Sequence, residues 1–182
     1  IVRDGIKSAK PQVAYKLITA YQARIPLVGV ELEVENLPSE IDQDYRERVK
    51  DALTPLDRQY YCCTDGSLIR GLEIVTAPSA LSTLRSQYHK YYQALNNLKK
   101  LGLTSHDSGR CGLHVHVSKC ALTNDQWIAL ISFVLRHKAF FKTLSRRENC
   151  GFCEFKKSNT SRYVAINVSN RDTVEFRFFR GT

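Results

Sequence analysis

The sequence contains no methionine, and no apolar run in it approaches the about eighteen residues that a membrane-spanning helix needs. No secretory signal opens it. Its six cysteines (Cys62, Cys63, Cys111, Cys120, Cys150 and Cys153) form no spaced framework of the kind found in secreted disulfide scaffolds. They read as reduced thiols of a cytoplasmic protein. There is no internal repeat, linker or low-complexity segment. These absences exclude a membrane span, a disulfide-stapled miniprotein and a repeat array. The missing methionine and the start at Ile1 lead us to expect a piece of a longer parent chain, with residues 1–26 as a helical lead-in.

What is present suits a single domain of ordinary size. The 182 residues are 43% hydrophobic and 25% charged, enough to build a real core and too apolar for a disordered chain. Charge is uneven. The net is +9, yet residues 31–80 carry eleven acids against five bases, which leaves the flanking segments strongly basic. Two classes of function fit that distribution. One is a nucleic-acid or protein-binding module that uses its basic surface, the acidic band being an ordinary solvated face. The other is a site where clustered carboxylates hold divalent cations and nearby arginines receive phosphate.

Periodicity places the elements. Residues 10–24 look helical. "LVGVELEV" (27–34) alternates as a strand, and 39–53 form a polar amphipathic helix. "RQYYCC" (58–63), the turn "TDGS" and "LIRGLEIV" (68–75) predict a tight hairpin, with Asp65-Gly66 supplying the turn. One long helix over about 80–101 stops at Gly102. Thr123 and Gln126 form a capping box that starts a second long helix, running to about 144. "CGLHVHV" is a strand, and "SRYVAINVS" with "TVEFRFFR" makes a second hairpin. Interleaved helices and tight hairpins predict an α+β fold with an antiparallel sheet.

The strand faces carry the functional signal. In each of four strands apolar residues alternate with chemically competent ones: Val30, Leu32 and Val34 with Glu31, Glu33 and Glu35; Leu72 and Ile74 with Glu73; Leu113, Val115 and Val117 with His114 and His116; Val174, Phe176 and Phe178 with Glu175 and Arg177. In one sheet, the apolar face packs under the two long helices. The other face collects Glu31, Glu33, Glu73, Glu175, His114, His116 and Arg177. So many like charges repel unless cations sit among them. The alternative is a solvated, glutamate-rich face. Oxygen ligands dominate and no thiolate shares the face, so Mg²⁺ or Mn²⁺ is favoured over zinc. Arg162, Arg177 and Arg180 would suit the phosphates that magnesium usually meets.

Five segments in order, "GVELEVE", "TDGSL…GLEIVTAP", "CGLHVHV", "SRYVAINV" and "TVEFRFFRGT", resemble the amidoligase family. That family belongs to the superfamily of carboxylate–amine ligases that includes glutamine synthetase and glutamate–cysteine ligase. The resemblance covers about 27–182. It implies a glutamine synthetase-like catalytic domain, a curved antiparallel sheet with helices on one face and ATP with Mg²⁺ on the other. By motif, Glu31, His114 and Glu175 would surround one metal ion, and Glu33, Glu73 and Asp65 another. His114, His116 and Arg177 would contact the nucleotide, and Arg177, Arg162 and Arg180 would hold the phosphate or acyl-phosphate. Asp65 stands where the larger ligases tend to have glutamate. The resemblance also implies a part beyond Thr182 that completes the nucleotide pocket.

The reaction so implied is ATP-dependent amide formation between a carboxylate substrate (an amino acid, a peptide or a protein side chain) and an amine. Remaining features have plainer readings. "CGFC" (150–153) lacks the second pair of a zinc site, so ordinary thiols are expected. In the basic helix at 85–100, Tyr88, Tyr91, Tyr92, Leu95 and Leu98 read as one packed face, the alternative being a nucleic-acid surface. His89, His106 and His137 have no assigned role, and Trp127 belongs to the core.

Overall fold

Leu27–Val34 forms a strand, β1, in which apolar and acidic residues alternate from Val30 to Val34, and its position explains the rest of the sheet. The computed structural model describes residues 25–181 apart from 58, 64, 106–108, 148–150, 152, 157–160 and 162. The expected helix at 10–24 therefore lies outside the described residues. After β1 come helix α1 (Gln43–Leu53), strands β2 (Tyr60–Cys63), β3 (Leu72–Thr76) and β4 (Ser79–Ala80), and helices α2 (Leu81–Ser86) and α3 (Tyr88–Lys100). Strand β5 (Gly112–Ser118), helices α4 (Asn124–Arg136) and α5 (Lys138–Ser145), and strands β6 (Ile166–Asn167) and β7 (Thr173–Arg180) complete the order. The sheet runs β2-β3-β1-β5-β7-β6, with β4 extending β3's side of β1, and every pairing within it is antiparallel. The fold is α+β, as expected. Among the described residues no helix is long and apolar enough to cross a membrane.

Helices cover one face in two clusters. Leu32, Val34, Leu72 and Ile74 of the sheet pack with Val49 and Leu53 of α1 and Ala94 and Leu98 of α3. Val174 and Phe178 of β7 pack with Trp127 and Val134 of α4, and Phe141 of α5 meets Phe178 with ring centroids 5.7 Å apart. Trp127 is core, its indole N–H donating to the Lys119 carbonyl at 2.9 Å. The capping box forms as written, with Thr123 Oγ1 accepting from Gln126 N and Gln126 Oε1 from Thr123 N.

Four expectations need correction. The helix expected over 80–101 is two, broken at Gln87, where Ser86 Oγ donates to the Thr83 carbonyl and competes with the helical ladder. The helix expected to 144 breaks at His137, which re-aims Phe141 at Phe178. The first hairpin is not tight: its ladder closes at Cys63 and Glu73, and 68–71 leave it because Leu68 is buried and Ile69 N donates to Glu35 Oε1 at 3.1 Å. In α3, Leu98 is buried and Tyr91 and Leu95 pack on the core, but Tyr88 and Tyr92 are exposed and stack on each other. Gly102, at φ 84°, ends that helix where the sequence placed its stop.

Leu53 is 1% exposed at the centre of the first cluster and far in the sheet's layering from the opposite face. Leu53→Ala is expected to destabilise the protein by about 2–5 kcal/mol through lost burial and a residual cavity. Chemical denaturation measures it, and a loss below about 1 kcal/mol would contradict the two-layer packing.

Candidate functional site

Register, not proximity in sequence, assembles the opposite face. Glu33 of β1 lies across from Glu73 of β3, Glu31 across from His114 of β5, and His116 across from Glu175 of β7. Side chains directly opposite on one face sit about 5 Å apart at Cβ, so three cross-strand pairs suffice to bring six functional groups together. They line a cavity of about 820 Å³ with Asp65, Ser67, Arg110, Arg147, Asn167 and Arg177. Glu33, His114 and Glu175 are buried, while Glu31, Glu73 and His116 are partly so.

The polar contacts are dense. His114 Nδ1 lies 3.5 Å from Glu31 Oε2 and 3.6 Å from Glu175 Oε1, and its Nε2 lies 3.8 Å from Glu33 Oε1. His116 Nε2 lies 3.0 Å from Glu31 Oε1, with its Nδ1 3.2 Å from Thr173 Oγ1. Asn167 Nδ2 donates to Glu175 Oε2 at 2.8 Å and Asn170 Nδ2 does so at 3.3 Å, while Arg177 pairs with Oε1. Glu33 Oε2 accepts from the Gly112 N–H at 2.6 Å, and Cys63 Sγ donates to Glu73 Oε2 at 3.1 Å.

These contacts and burial drive the carboxyl groups apart in acidity. Glu73 is pushed up to about 8, first by burial and then by the charge of Glu31 beside it. Glu31 moves the other way: burial raises it, but the adjacent imidazoles of His114 and His116 prevail and hold it below the usual carboxylate range. Burial also lifts Glu33, against the opposing pull of His114, the Gly112 N–H and Arg147. His116 sits above its ordinary value because the Glu31 carboxylate against it and the surrounding carboxylates outweigh its burial. The Cys63 thiol is pushed up to about 12 by burial and by Glu73, so it stays a thiol.

The donor set fits divalent cations. Three groups bring their ligand atoms within 4.8 Å of one another: Glu31, His116 and Glu175; Glu31, Glu73 and His114; and Glu33, Asp65 and Glu73. His114 Nδ1 and His116 Nε2 are buried without a well-formed hydrogen bond, although carboxylate oxygens surround them. Ring nitrogens left so in a ring of oxygens have the disposition of metal ligands rather than of a closed hydrogen-bond network. The oxygen-rich set favours Mg²⁺ or Mn²⁺.

The sequence-predicted residues fall into three classes. Glu31, Glu33, Asp65, Glu73, His114, His116, Glu175 and Arg177 all line the cavity. Both histidines reach the Glu31–Glu175 pair: His116 stands across from Glu175 in the β5–β7 ladder, and His114 Nδ1 lies against Glu31 and Glu175, the trio expected around one ion. Arg180 is exposed, outside the cavity lining, beyond the register shift that interrupts the β5–β7 ladder. Arg162 lies outside the described residues, as do His106 and Cys150, while Cys153 is a buried thiol in no disulfide. Sequence reading missed Arg110, Arg147, Asn167 and Asn170. Asn167 could have been found from its place on the "INV" alternation, whereas Arg147 follows a helix and has no local signal.

An open antiparallel sheet, helices on one face and a buried carboxylate–histidine cavity on the other define the class of protein that fold and site describe. A crystal structure described as that of a novel glutamine synthase homolog shares this fold. It superposes with a TM-score of 0.51 at 12% identity, over 92% of this chain and 53% of that one. The chain thus spans about half the length of that structure's chain. No family model and no curated protein matches the sequence.

The acidities give a testable sign. Glu73, ordinarily 4.5 but about 8 when folded, and His116, raised above 6.5, both bind protons more tightly in the folded protein than in the unfolded chain. Their contributions to stability are therefore lost as pH rises through the folded values. Glu31 is held below 4.5, so its contribution is complete and constant in this window. The melting temperature in EDTA should fall from about pH 6 to pH 9. Saturating Mg²⁺ or Mn²⁺ should reverse the fall, and Glu73→Gln should flatten it. A metal-free melting temperature that rises over this range would contradict the assignment.

Proposed function

We propose that the protein is an ATP- and Mg²⁺-dependent carboxylate–amine ligase, the activity that the amidoligase resemblance implies for residues 27–182. The observation that carries the proposal is the convergence of Glu31, Glu33, Glu73, Glu175, His114 and His116 on one wall of a single cavity. Likeness to a glutamine synthase homolog supports the fold on which such chemistry would run.

In this reading Glu31, Glu175 and His116 hold one ion and Glu33, Asp65 and Glu73 another, with His114 between them. Bound Mg²⁺ would neutralise the triphosphate. Carboxylate and triphosphate are both anions, so they reach attack distance only where positive charge is clustered. The protein's own part is positional. Asn167 and Asn170 take up one oxygen of Glu175, which turns the other toward Arg177 and the imidazoles. Arg177 would face the transferring phosphoryl group. A substrate carboxylate oxygen attacks the γ-phosphorus, the bond to the β-phosphate oxygen breaks, and ADP leaves. The amine then attacks the acyl carbon, expels inorganic phosphate and loses a proton, giving the amide. The carboxylate is an amino acid, a peptide terminus or a protein side chain.

The test is ADP release with Mg²⁺ and pooled amino-acid or peptide acceptors, beside a melt of each variant. Glu175→Gln and Arg177→Ala are each expected to lower turnover by roughly 10²-fold or more, since the first removes a metal-ligating charge and the second the cation facing the reacting phosphate. Glu175→Gln should melt close to wild type, because glutamine keeps the shape and can still accept from Asn167. Turnover that survives both substitutions would refute these roles. No ATP consumption by wild type, with salt-sensitive binding of DNA or RNA instead, would favour the binding module.

A further inference from the structure

Arg147 stands apart from the other charged groups of the cavity. It follows α5 directly: Arg146 adopts a left-handed conformation at φ 54°, which ends the helix immediately before it. Arg147 is 9% exposed and lines the cavity beside Arg110 and Arg177. Two of its five N–H groups are spent on main-chain carbonyls, Nη1 on Arg177 at 2.8 Å and Nη2 on Arg110 at 3.1 Å. Nε is buried with no hydrogen-bond partner. Among the described residues it makes no ion pair, whereas Arg177 beside it is paired with Glu175.

The placement is built rather than incidental. A Cβ on Gly112 would meet Arg147 Nη1 at 2.1 Å, Cζ at 2.7 Å and Nη2 at 3.0 Å, so the guanidinium occupies the space that a side chain would take. The same Gly112 donates its N–H to Glu33, which ties the arginine's seat to the acidic wall. Neutral carbonyls orient a guanidinium but do not cancel its charge. Glu33 feels the guanidinium's charge but makes no ion pair with it, and a buried N–H left without an acceptor is costly. A cavity ligand that brings an oxyanion removes that cost.

We infer that Arg147 is an oxyanion receptor in the cavity wall, binding a carboxylate or phosphate group of the occupant through its unspent N–H groups. This deepens the proposed function, on which it rests for the source of the anion: a carboxylate comes from the acid substrate, a phosphate from the nucleotide.

The experiment titrates inorganic phosphate and, separately, succinate into the protein by calorimetry, with saturating Mg²⁺ and no nucleotide. Wild type is compared with Arg147→Lys, Arg147→Gln and Gly112→Ala. Arg147→Gln and Gly112→Ala should weaken at least one anion by ~10-fold or more, and Arg147→Lys by less, because it keeps charge without the fork. The anion so weakened identifies the source. In wild type, the Nε–H resonance of Arg147, assigned through its own backbone, should move on saturation with that anion. A purely structural arginine would leave it still. Wild type that binds neither anion, or a folded Arg147→Gln that binds both within about twofold of wild type, overturns the inference. If that variant does not fold, an unmoved Nε–H resonance overturns it. Because no ATP is present, a protein that hydrolyses nothing yet loses anion binding at Arg147 would sink the ligase reading and leave the receptor standing.

Discussion

Four glutamates stand on three strands of one sheet face, β3, β1 and β7, and their mutual repulsion is the constraint around which the rest of the molecule is arranged. Glu33 faces Glu73 directly across β1 and β3, and Glu31 adds its charge from the same strand as Glu33. Like charges at that separation, partly out of water, oppose folding unless something positive or a proton intervenes. The protein's own groups meet part of that charge: a proton on Glu73, the imidazoles beside Glu31, the amides of Asn167 and Asn170 on Glu175, and the Gly112 N–H on Glu33. Each is a substitute for a cation, and none spans the whole cluster.

Tolerance of that repulsion comes from the other side of the sheet. Two hydrophobic clusters clamp the same strands, α1 and α3 over β1 and β3, and α4 and α5 over β7. A buried side chain of leucine or phenylalanine size contributes roughly 1.5–3 kcal/mol, so each cluster outweighs several unfavourable charge contacts. Alternation couples the two effects. Each residue that anchors a strand to the helices is next in sequence to one that points into the cavity, so the site cannot shift without disturbing the core.

Function and fold then differ in how much support each has. The α+β antiparallel architecture and its likeness to a glutamine synthase homolog rest on the chain path, while ligase chemistry is our reading of what the cavity's charges are for. The cavity has an internal polarity that gives that reading physical content. Its carboxylate–histidine wall suits cations, and Arg110, Arg147 and Arg177 supply positive charge along the same cavity. A site with both signs in one enclosure is equipped to hold a metal-bound anion rather than a bare metal or a bare anion.

The two-residue period of a strand is a local property, so the sequence alone determined which side chains share a face: Glu31 with Glu33, His114 with His116, Glu175 with Arg177. Helix stops at Gly102 and the capping box at Thr123 were legible for the same reason, since both are satisfied within a few residues. Register between strands distant in sequence is set by turns, packing and bulges, and no period encodes it. Tertiary structure alone therefore decided that His116 stands across from Glu175 in the β5–β7 ladder while His114 reaches the same carboxylate from beside it, and that Arg180 stays outside the cavity. It alone widened the first hairpin, where Glu35 and the burial of Leu68 outbid the turn chemistry of Asp65-Gly66. Arg147 marks the limit of local reading: it reaches the site only because α5 ends where it does and because Gly112, thirty-five residues earlier in the chain, leaves the space for it.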